Sequence, residues 1–437
     1  MSDAAAPAPL AGGLLGRVVA VRRDEIGSLL WSFLYFFCLL AAYYTIRPVR
    51  DEMAVQFGHE RLQWLFTATF LTMVALIPAF GWLASRLPVA RLLPSVYGFF
   101  AACLVAFHLA MDAGVEARRV APVFFVWVSV FNLFVVSVFW SFMADLFRVD
   151  AAKRLFGFIS AGGSLGAVAG PGLTALVAPR IGVANLPLLS AALLGGALVC
   201  IAMLLRLARA RGAGARFLKA GDGGERPGLW IGVVRIARSP YLAAVAVYLV
   251  CYTLLSTLLY FEQTRLVPAA IADPAERTRL FATVDLAVNV LTLGIQFFLT
   301  GRLLTRLGVT AMLVALPVLN LAGFAAFGLA TTLPVLVAFG VLRRAGEFAI
   351  TKPTRETLFT VVPKEEKYQA KNVIDTVVHR GGDAASGWVV AGLQAAGLSL
   401  SGMAFAGVPV AALWVAIAVY LGRRNEAMQR AQAEARA

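Results

Sequence analysis

The sequence predicts an all-α polytopic membrane protein with twelve transmembrane helices. The chain is 60% hydrophobic and only 14% charged, and its mean hydropathy is +0.79. Soluble proteins are typically about 45–50% apolar. The runs 29–46 and 243–261 contain no charged residue, and each is close to the ~20 residues that cross ~30 Å of hydrocarbon. A transmembrane β-barrel would show short alternating segments instead.

The apolar runs define twelve predicted spans, numbered here in chain order. They cover residues 27–47, 61–85, 92–112, 119–147, 154–178, 185–207, 240–263, 279–300, 308–330, 333–361, 368–395 and 402–422. With both termini in the cytoplasm, the inner segments would hold 22 Lys and Arg residues and the outer loops 5. Because Lys and Arg stay on the cytoplasmic side, this pattern predicts a multi-pass protein of a bacterial inner membrane with cytoplasmic termini.

The chain divides into two predicted six-helix halves, residues 27–207 and 240–424. Residues 1–26 and 425–437 are predicted to be cytoplasmic tails. The segment between the halves, residues 208–239, is basic and glycine-rich, which predicts a flexible cytoplasmic linker. The net charge of +15 is attributed to cytoplasmic loops, so no nucleic-acid partner is expected.

The two halves are similar in sequence. The stretch GWLASRLPVARLL (81–93) follows the second span and GRLLTRLGVTAML (301–313) follows the eighth, with Gly, Leu, Arg and Leu at matching positions. The fourth and tenth spans both end in Leu-Phe before a short charged loop and a glycine-rich helix. This six-plus-six repeat, with a Gly-x-Leu-x-x-Arg loop in each half, resembles the major facilitator superfamily. The resemblance implies a substrate site near the bilayer midplane.

Three groups of charged residues lie where the membrane penalises charge by roughly 2.5 to 3.5 kcal/mol for a central Arg, Lys or Asp. The first is YYTIRPVRDEM (43–53), where Pro48 is expected to end or kink the first helix. If this group has no binding role, it is an interfacial cap of the helix whose arginine side chains reach the lipid headgroups.

The second group, VLRRAGEFAITKPTRETLF (341–359), lies in the tenth span. Arg343 and Glu347 are spaced i,i+4, as are Lys352 and Glu356, which predicts two ion pairs. Pro353 is expected to break the helix between them. A buried ion-pair network is the structural alternative, whereas the surplus of positive charge favours an anion as the missing partner.

The third group, KYQAKNVIDTVVHRGGDAASGW (367–388), lies in the eleventh span. Lys371, Asp375, His379 and Asp383 follow one another at four-residue intervals and share one predicted helix face, with Arg380 beside them. The glycines of this stretch predict close helix packing.

Two weaker polar signals accompany these groups. Asp285, Asn289, Thr292 and Gln296 form a polar stripe along the eighth span, either a hydrogen-bonded seam between helices or part of a binding site. Asp145 closes the fourth span. The four cysteines lie far apart in apolar runs and the three histidines are scattered, so no metal site or cofactor is expected. P-loop, HExxH, CxxC and GxSxG motifs are absent, so no enzymatic activity is predicted.

Two stretches resemble a particular transporter family. YYTIRPVRDEMAV (43–55) resembles the Tyr-Thr-x-Leu-Arg-x-x-Lys-Asp-x-Leu-Val stretch of the ATP/ADP translocases of plastids and intracellular bacteria. TKPTRETLFTVVPKEEKYQAKNVIDTVVHRGGDAASGW (351–388) is similar to a second stretch of that family. The positions that match are Arg47, Asp51, Lys352, Lys371, Asp375 and Arg380. Arg50, Pro353 and Asp383 depart from the family pattern. The resemblance implies a facilitator-type antiporter that exchanges nucleotides, commonly ATP for ADP.

The first functional hypothesis is a facilitator-type transporter that exchanges a nucleotide or a related phosphorylated anion by alternating access. The residues expected to bind the anion are Arg47, Arg50, Lys352, Arg355, Lys371 and Arg380. The residues expected to act in gating or coupling are Asp51, Asp145, Asp285, Asn289, Glu347, Asp375 and His379.

Two alternatives remain open. One is a proton-coupled transporter of another small molecule, in which the proton is carried by His379, Asp375, Asp285 or Glu347. The other is a facilitator-fold protein that no longer transports. In all three cases the lipid bilayer is a partner and the chain is expected to be a monomer.

Overall fold

The computed structural model describes residues 21–210 and 229–434, and these are almost entirely helical. The α-helices are α1 (Ile26–Phe57), α2 (Leu62–Arg86), α3 (Val89–Asp112), α4 (Ala117–Leu146), α5 (Val149–Ile181), α6 (Leu186–Ala210), α7 (Leu229–Arg238), α8 (Pro240–Ala270), α9 (Pro274–Ile295), α10 (Gly301–Leu329), α11 (Leu333–Gly346), α12 (Lys352–Leu358), α13 (Lys364–Val373), α14 (His379–Ala395) and α15 (Leu400–Glu434). Three π-helical segments interrupt them: π1 (Gln296–Thr300), π2 (Glu347–Thr351) and π3 (Ile374–Val378). The predicted all-α polytopic fold is confirmed.

Nine helical stretches among the described residues are long and apolar enough to cross a membrane. One of them, Pro274–Leu329, is 56 residues long and contains both the eighth and the ninth predicted spans. Gly308 separates these two spans, since its φ of 76° is a left-handed conformation that glycine adopts readily. The tenth and eleventh predicted spans are helical but interrupted by π2 and π3, and they carry the charged groups singled out from the sequence.

The first helix extends beyond its predicted end. Helix α1 continues through Pro48 to Phe57, so Pro48 does not end it, and the alternative of a kink at Pro48 stays a prediction. Proline is tolerated inside membrane helices because neighbouring groups satisfy the backbone carbonyl that it frees. Arg50 and Asp51 consequently lie on a regular helix rather than in an interfacial loop.

The segments predicted to be linker and tails are partly helical. Helix α7 lies within the predicted linker, and α15 continues into the predicted C-terminal tail as far as Glu434. Residues 211–228 of the linker, most of the N-terminal tail and the last three residues lie outside the described residues.

The chain forms two compact units. The first contains Met1–Arg50, Leu76–Gly223 and Thr278–Leu286, and the second contains Asp51–Ala75, Gly224–Arg277 and Ala287–Ala437. The borders between the units fall inside α1, α2 and α9. The predicted division into halves at the linker stays a prediction.

The first unit is held together by close packing of α5 on α1. A Cβ atom on Gly162 or Gly166 would collide with the α1 backbone, and one on Gly170 would lie 2.7 Å from the carbonyl oxygen of Ala41. Small residues at such spacing let membrane helices approach closely and gain van der Waals contact. Polar bonds add to this core, since the buried Tyr35 hydroxyl donates to the Tyr97 hydroxyl at 2.6 Å.

The second unit is built around α8. A Cβ on Gly382 would lie 2.7 Å from the Thr253 hydroxyl, which explains the close packing of α14 on α8 predicted from the glycines. The Tyr241 hydroxyl donates to the carbonyl oxygen of Leu358 at 2.9 Å and so ties α8 to the end of α12. These contacts fix the interrupted helices relative to α8.

Candidate functional site

The tenth predicted span is interrupted, but just before Lys352 rather than between Lys352 and Glu356 as the sequence predicts. Helix α11 ends at Gly346, π2 follows, and Pro353 lies in the first turn of α12. Proline lacks a backbone N–H and its ring displaces the preceding turn. The break takes the form of a π-helical segment, a feature that is frequent at functional sites.

Neighbouring side chains satisfy the backbone carbonyls of the broken segment. The Gln296 amide donates to the Phe348 carbonyl at 3.1 Å, and the Thr300 hydroxyl donates to the Ala349 carbonyl at 2.8 Å. Both donors come from π1, so one interrupted helix supports the other. Gln296 had been predicted only as part of a polar stripe, and nothing in the sequence pattern singled out Thr300.

Four charged residues of this broken helix, Arg343, Glu347, Lys352 and Arg355, are here called the span-ten cluster. Arg343, Glu347 and Arg355 are buried, with 6%, 5% and 7% of their surfaces exposed, whereas Lys352 is exposed. The carboxylate of Glu347 lies within electrostatic reach of all three cations. The structure therefore concentrates three positive groups around one buried acid.

The ion pairs of this region differ from those that i,i+4 spacing predicts. Among the described residues, Glu356 pairs with Lys371 rather than with Lys352, and Arg355 Nη2 lies 3.4 Å from Asp375 Oδ1. No ion pair joins Arg343 to Glu347 there. Lys352 and Glu356 both lie on α12, so their spacing permits a pair, but Glu356 pairs with Lys371 of the neighbouring helix instead.

The predicted polar face of the eleventh span is divided by π3. Lys371 and Asp375, in its first part, contact α12 as described above. In its second part, Asp383 Oδ2 lies 3.7 Å from His379 Nδ1 and 3.5 Å from Arg380 Nη1. The four residues thus serve two separate groups of contacts rather than one continuous stripe.

Several buried donors of the span-ten cluster have no hydrogen-bond partner among the described residues. These are Nε and Nη1 of Arg343 and Nε of Arg355, and Oε2 of Glu347 likewise has none. The Arg343 guanidinium lies 5.8 Å from the ring centroid of Tyr252. A guanidinium remains charged under all ordinary conditions, and burying a charge without full pairing is costly. The arrangement can therefore accept an anion.

The first unit brings two predicted residues together. Arg47 Nη1 lies 3.2 Å from the buried Asp285 Oδ1, which joins the first and eighth predicted spans. The Arg50 guanidinium lies over the Phe125 ring at 5.0 Å from its centroid, a cation–π contact. Asp145 lies in the last turn of α4 and is partly exposed.

A second group of charged residues in the second unit was not predicted. The Arg277 guanidinium binds Glu52 through two bonds, Nη2 to Oε1 at 2.6 Å and Nε to Oε2 at 2.8 Å. Its Nη1 also donates to the Ala272 carbonyl oxygen at 2.7 Å. The predicted residue Asp51 accepts a hydrogen bond from the Tyr260 hydroxyl at 3.1 Å. We call Asp51, Glu52, Tyr260 and Arg277 the paired cluster.

Sequence reasoning missed most of the paired cluster because its partners are far apart in the chain. Glu52 and Arg277 are separated by 225 residues. The adjacent acids Asp51 and Glu52, directly after an apolar run, were the available signal. Asn289, which lies one turn after Asp285 on α9, is buried in the second unit.

These features together describe a multi-pass helical membrane protein with buried charge. Residues 32–341 match the model of the Major Facilitator Superfamily, which is more than two-thirds of the 437 residues. The chain therefore belongs to the Major Facilitator Superfamily and is a secondary transporter of the facilitator type.

Relatives support the fold at low sequence identity. The chain is 22% identical over 178 residues to ADP,ATP carrier protein 1 of Chlamydia muridarum (strain MoPn / Nigg); the match covers 36% of this chain and about a third, 34%, of that relative. A bacterial homologue of the iron transporter ferroportin, in an inward-facing state, superimposes with a TM-score of 0.63 at 15% identity, over 94% of this chain and all of that one. The nucleoside transporter NupG superimposes with a TM-score of 0.57 at 16% identity, over 93% of this chain and 99% of that one.

Proposed function

We propose that this chain transports a phosphorylated anion across a bacterial inner membrane by alternating access, and that a nucleotide such as ATP or ADP is the first candidate. The anion is bound by the cations of the span-ten cluster and of α13 and α14. We further propose exchange of one anion for another, with both termini in the cytoplasm.

The main observation behind this proposal is the buried guanidinium of Arg343. Two of its nitrogens lack hydrogen-bond partners among the described residues. Arg355 adds a third such nitrogen. Guanidinium groups match phosphate oxygens geometrically and form charge-assisted hydrogen bonds with them. An anionic ligand would supply the acceptors that the surrounding side chains do not.

The choice of a phosphorylated anion has two supports. Lys352, Lys371 and Arg380 fall on positions that match the ATP/ADP translocases, and the curated relative is a carrier of ADP and ATP. Lys352 is exposed beside the buried arginines and can add a compact point charge. The participation of Arg47 and Arg50 in anion binding stays a prediction.

A thermal-shift screen of the purified protein tests this proposal. The ligands are ATP, ADP, pyrophosphate and sulfate, with uncharged adenosine as the comparison. A ligand at 100 times its dissociation constant stabilises the folded state by about 2.7 kcal/mol. We expect a shift with the nucleotides that adenosine does not reproduce and that Lys352→Gln reduces. Stabilisation by adenosine alone, or by none of these compounds, would contradict the proposal.

Proton-coupled transport of another small molecule is the second candidate. Its supporting observation is the His379–Asp383 contact, in which His379 Nδ1 lies 3.7 Å from Asp383 Oδ2. Accumulation driven by a pH gradient without any exchanged anion, and lost in His379→Gln, would favour this function over anion exchange.

A further inference from the structure

Helix α8 carries one carboxyl group that the proposed anion site does not use. Glu262 is fully buried, and neither of its carboxylate oxygens has a hydrogen-bond partner among the described residues. Glu52 offers a contrast within the same unit, because it is equally buried but is bound by two guanidinium nitrogens of Arg277.

An ionised carboxylate is costly in the position of Glu262. Burial removes the water that would solvate the charge, and no donor replaces that water. Binding a proton removes the charge and with it most of this cost. Ionisable residues buried in membrane-spanning helices are typical of proton and ion pathways. The burial of Glu262 therefore favours the neutral acid in this conformation.

A charged group that acts on Glu262 lies on the same helix. Arg265, about one turn from Glu262, acts on it electrostatically, but no ion pair joins the two among the described residues. His59, from the short turn after α1, also lies within electrostatic reach of Arg265. Arg265 therefore favours an ionised Glu262 through space without making a bond to it.

Other charged groups packed on α8 lie at different levels of that helix. Arg343 and Asp383, from α11 and α14, act on Tyr252, which is ten residues or about 15 Å from Glu262 along the axis. Asn425 of α15 contacts Tyr241 near the start of α8. The paired cluster lies closer, because Tyr260, which binds Asp51, precedes Glu262 by two residues.

We propose that Glu262 is a proton-binding site of the transport cycle. A proton is bound to its carboxylate while the contacts of the paired cluster hold α1 against α8 and α9. When the Tyr260–Asp51 and Arg277–Glu52 contacts separate, water reaches Glu262. The carboxylic O–H bond then breaks, the proton passes to water, and the carboxylate that remains is stabilised by water and Arg265. Rebinding of a proton allows the cluster to close again. This inference depends on the transporter family and not on the identity of the anion.

Infrared spectroscopy of the full-length protein in lipid tests the site without any substrate. At pH 7 we expect a carboxylic acid C=O band that shifts in deuterium oxide, is lost in Glu262→Gln and persists in Glu60→Gln, which changes an exposed acid. Identical acid bands in the wild type and Glu262→Gln would overturn the proposal. Because the amide is nearly isosteric with the acid, we expect Glu262→Gln to keep the thermal stability of the wild type.

A transport measurement tests the coupling, with ADP as the probe in proteoliposomes. We expect an acidic exterior to drive ADP accumulation by the wild type in exchange for an anion loaded inside the vesicles. In the Glu262→Gln variant this accumulation should be at least tenfold lower than in the wild type, whereas ADP/ADP exchange should be retained. Equal pH-driven accumulation by both proteins would overturn the coupling. If the wild type moves no ADP, the proposed anion function fails, and the infrared band alone decides whether Glu262 is a proton site.

Discussion

The second unit contains two groups of buried charge that differ in how completely they are paired. In the paired cluster, Arg277 makes two bonds to Glu52 and further bonds to backbone carbonyls. In the span-ten cluster, Arg343 is equally buried but leaves two nitrogens without partners among the described residues. The two arginines differ in how many of their guanidinium nitrogens have hydrogen-bond partners, and not in how deeply they are buried.

This difference separates a structural role from a binding role. A buried charge whose bonds are all made within the protein stabilises one conformation and has nothing left to offer a ligand. A buried charge with unused donors raises the energy of the free protein and lowers it again when an anion binds. Burial alone would have assigned both arginines the same function.

The largest effect is expected from Arg277→Gln, which leaves Glu52 buried and unpaired. Removing one partner of a buried ion pair typically costs about 3–5 kcal/mol. Unfolding of the purified protein in mild detergent by a graded denaturant measures the loss. The double variant Glu52→Gln/Arg277→Gln should recover much of it, so additive losses would contradict the pairing.

The next largest effect is expected from Arg343→Gln, and it should appear in binding rather than in stability. Hydrogen bonds to charged groups contribute about 1.5–3 kcal/mol, so we expect nucleotide affinity to fall about 10- to 100-fold, with the free energy of unfolding unchanged or higher. Equilibrium binding and unfolding measurements on the same preparation test this. Arg344→Gln, one residue along, is the matched control, and an equal loss of affinity in both variants would contradict the assignment.

A smaller effect is expected from Thr300→Val, which removes the donor to the Ala349 carbonyl of π2. An unsatisfied carbonyl of this kind costs about 1 kcal/mol, and a less rigid π2 should also weaken nucleotide binding. Thr305→Val serves as the control, because the hydroxyl bonds recorded for Thr305 among the described residues go to carbonyls of its own helix. If the two variants have the same stability and affinity, the support from π1 to π2 is unimportant.

The smallest effect is expected from Glu356→Gln, which breaks the exposed pair with Lys371. Exposed ion pairs contribute about 0–1 kcal/mol, so the free energy of unfolding should change by less than that of any variant above. A midpoint shift as large as that of Arg277→Gln would show that exposure does not decide the strength of pairing in this unit.

The sequence by itself determined the helices, the broken tenth span and the positions of the charged groups. These properties are local: hydropathy over about twenty residues decides whether a segment spans a membrane, and Pro353 alone predicts an interruption. The resemblance of two short stretches to the ATP/ADP translocases also pointed to the facilitator fold, which the family match confirms.

The tertiary structure decided which charges are paired. Spacing predicted that Lys352 would bind Glu356, but Glu356 binds Lys371 of the neighbouring helix instead. Glu52 and Arg277 meet although 225 residues separate them. Ion pairing depends on distances between helices, and a pattern within one helix carries no information about them. For the same reason, only the fold reveals that Glu262 is buried without a hydrogen-bond partner among the described residues.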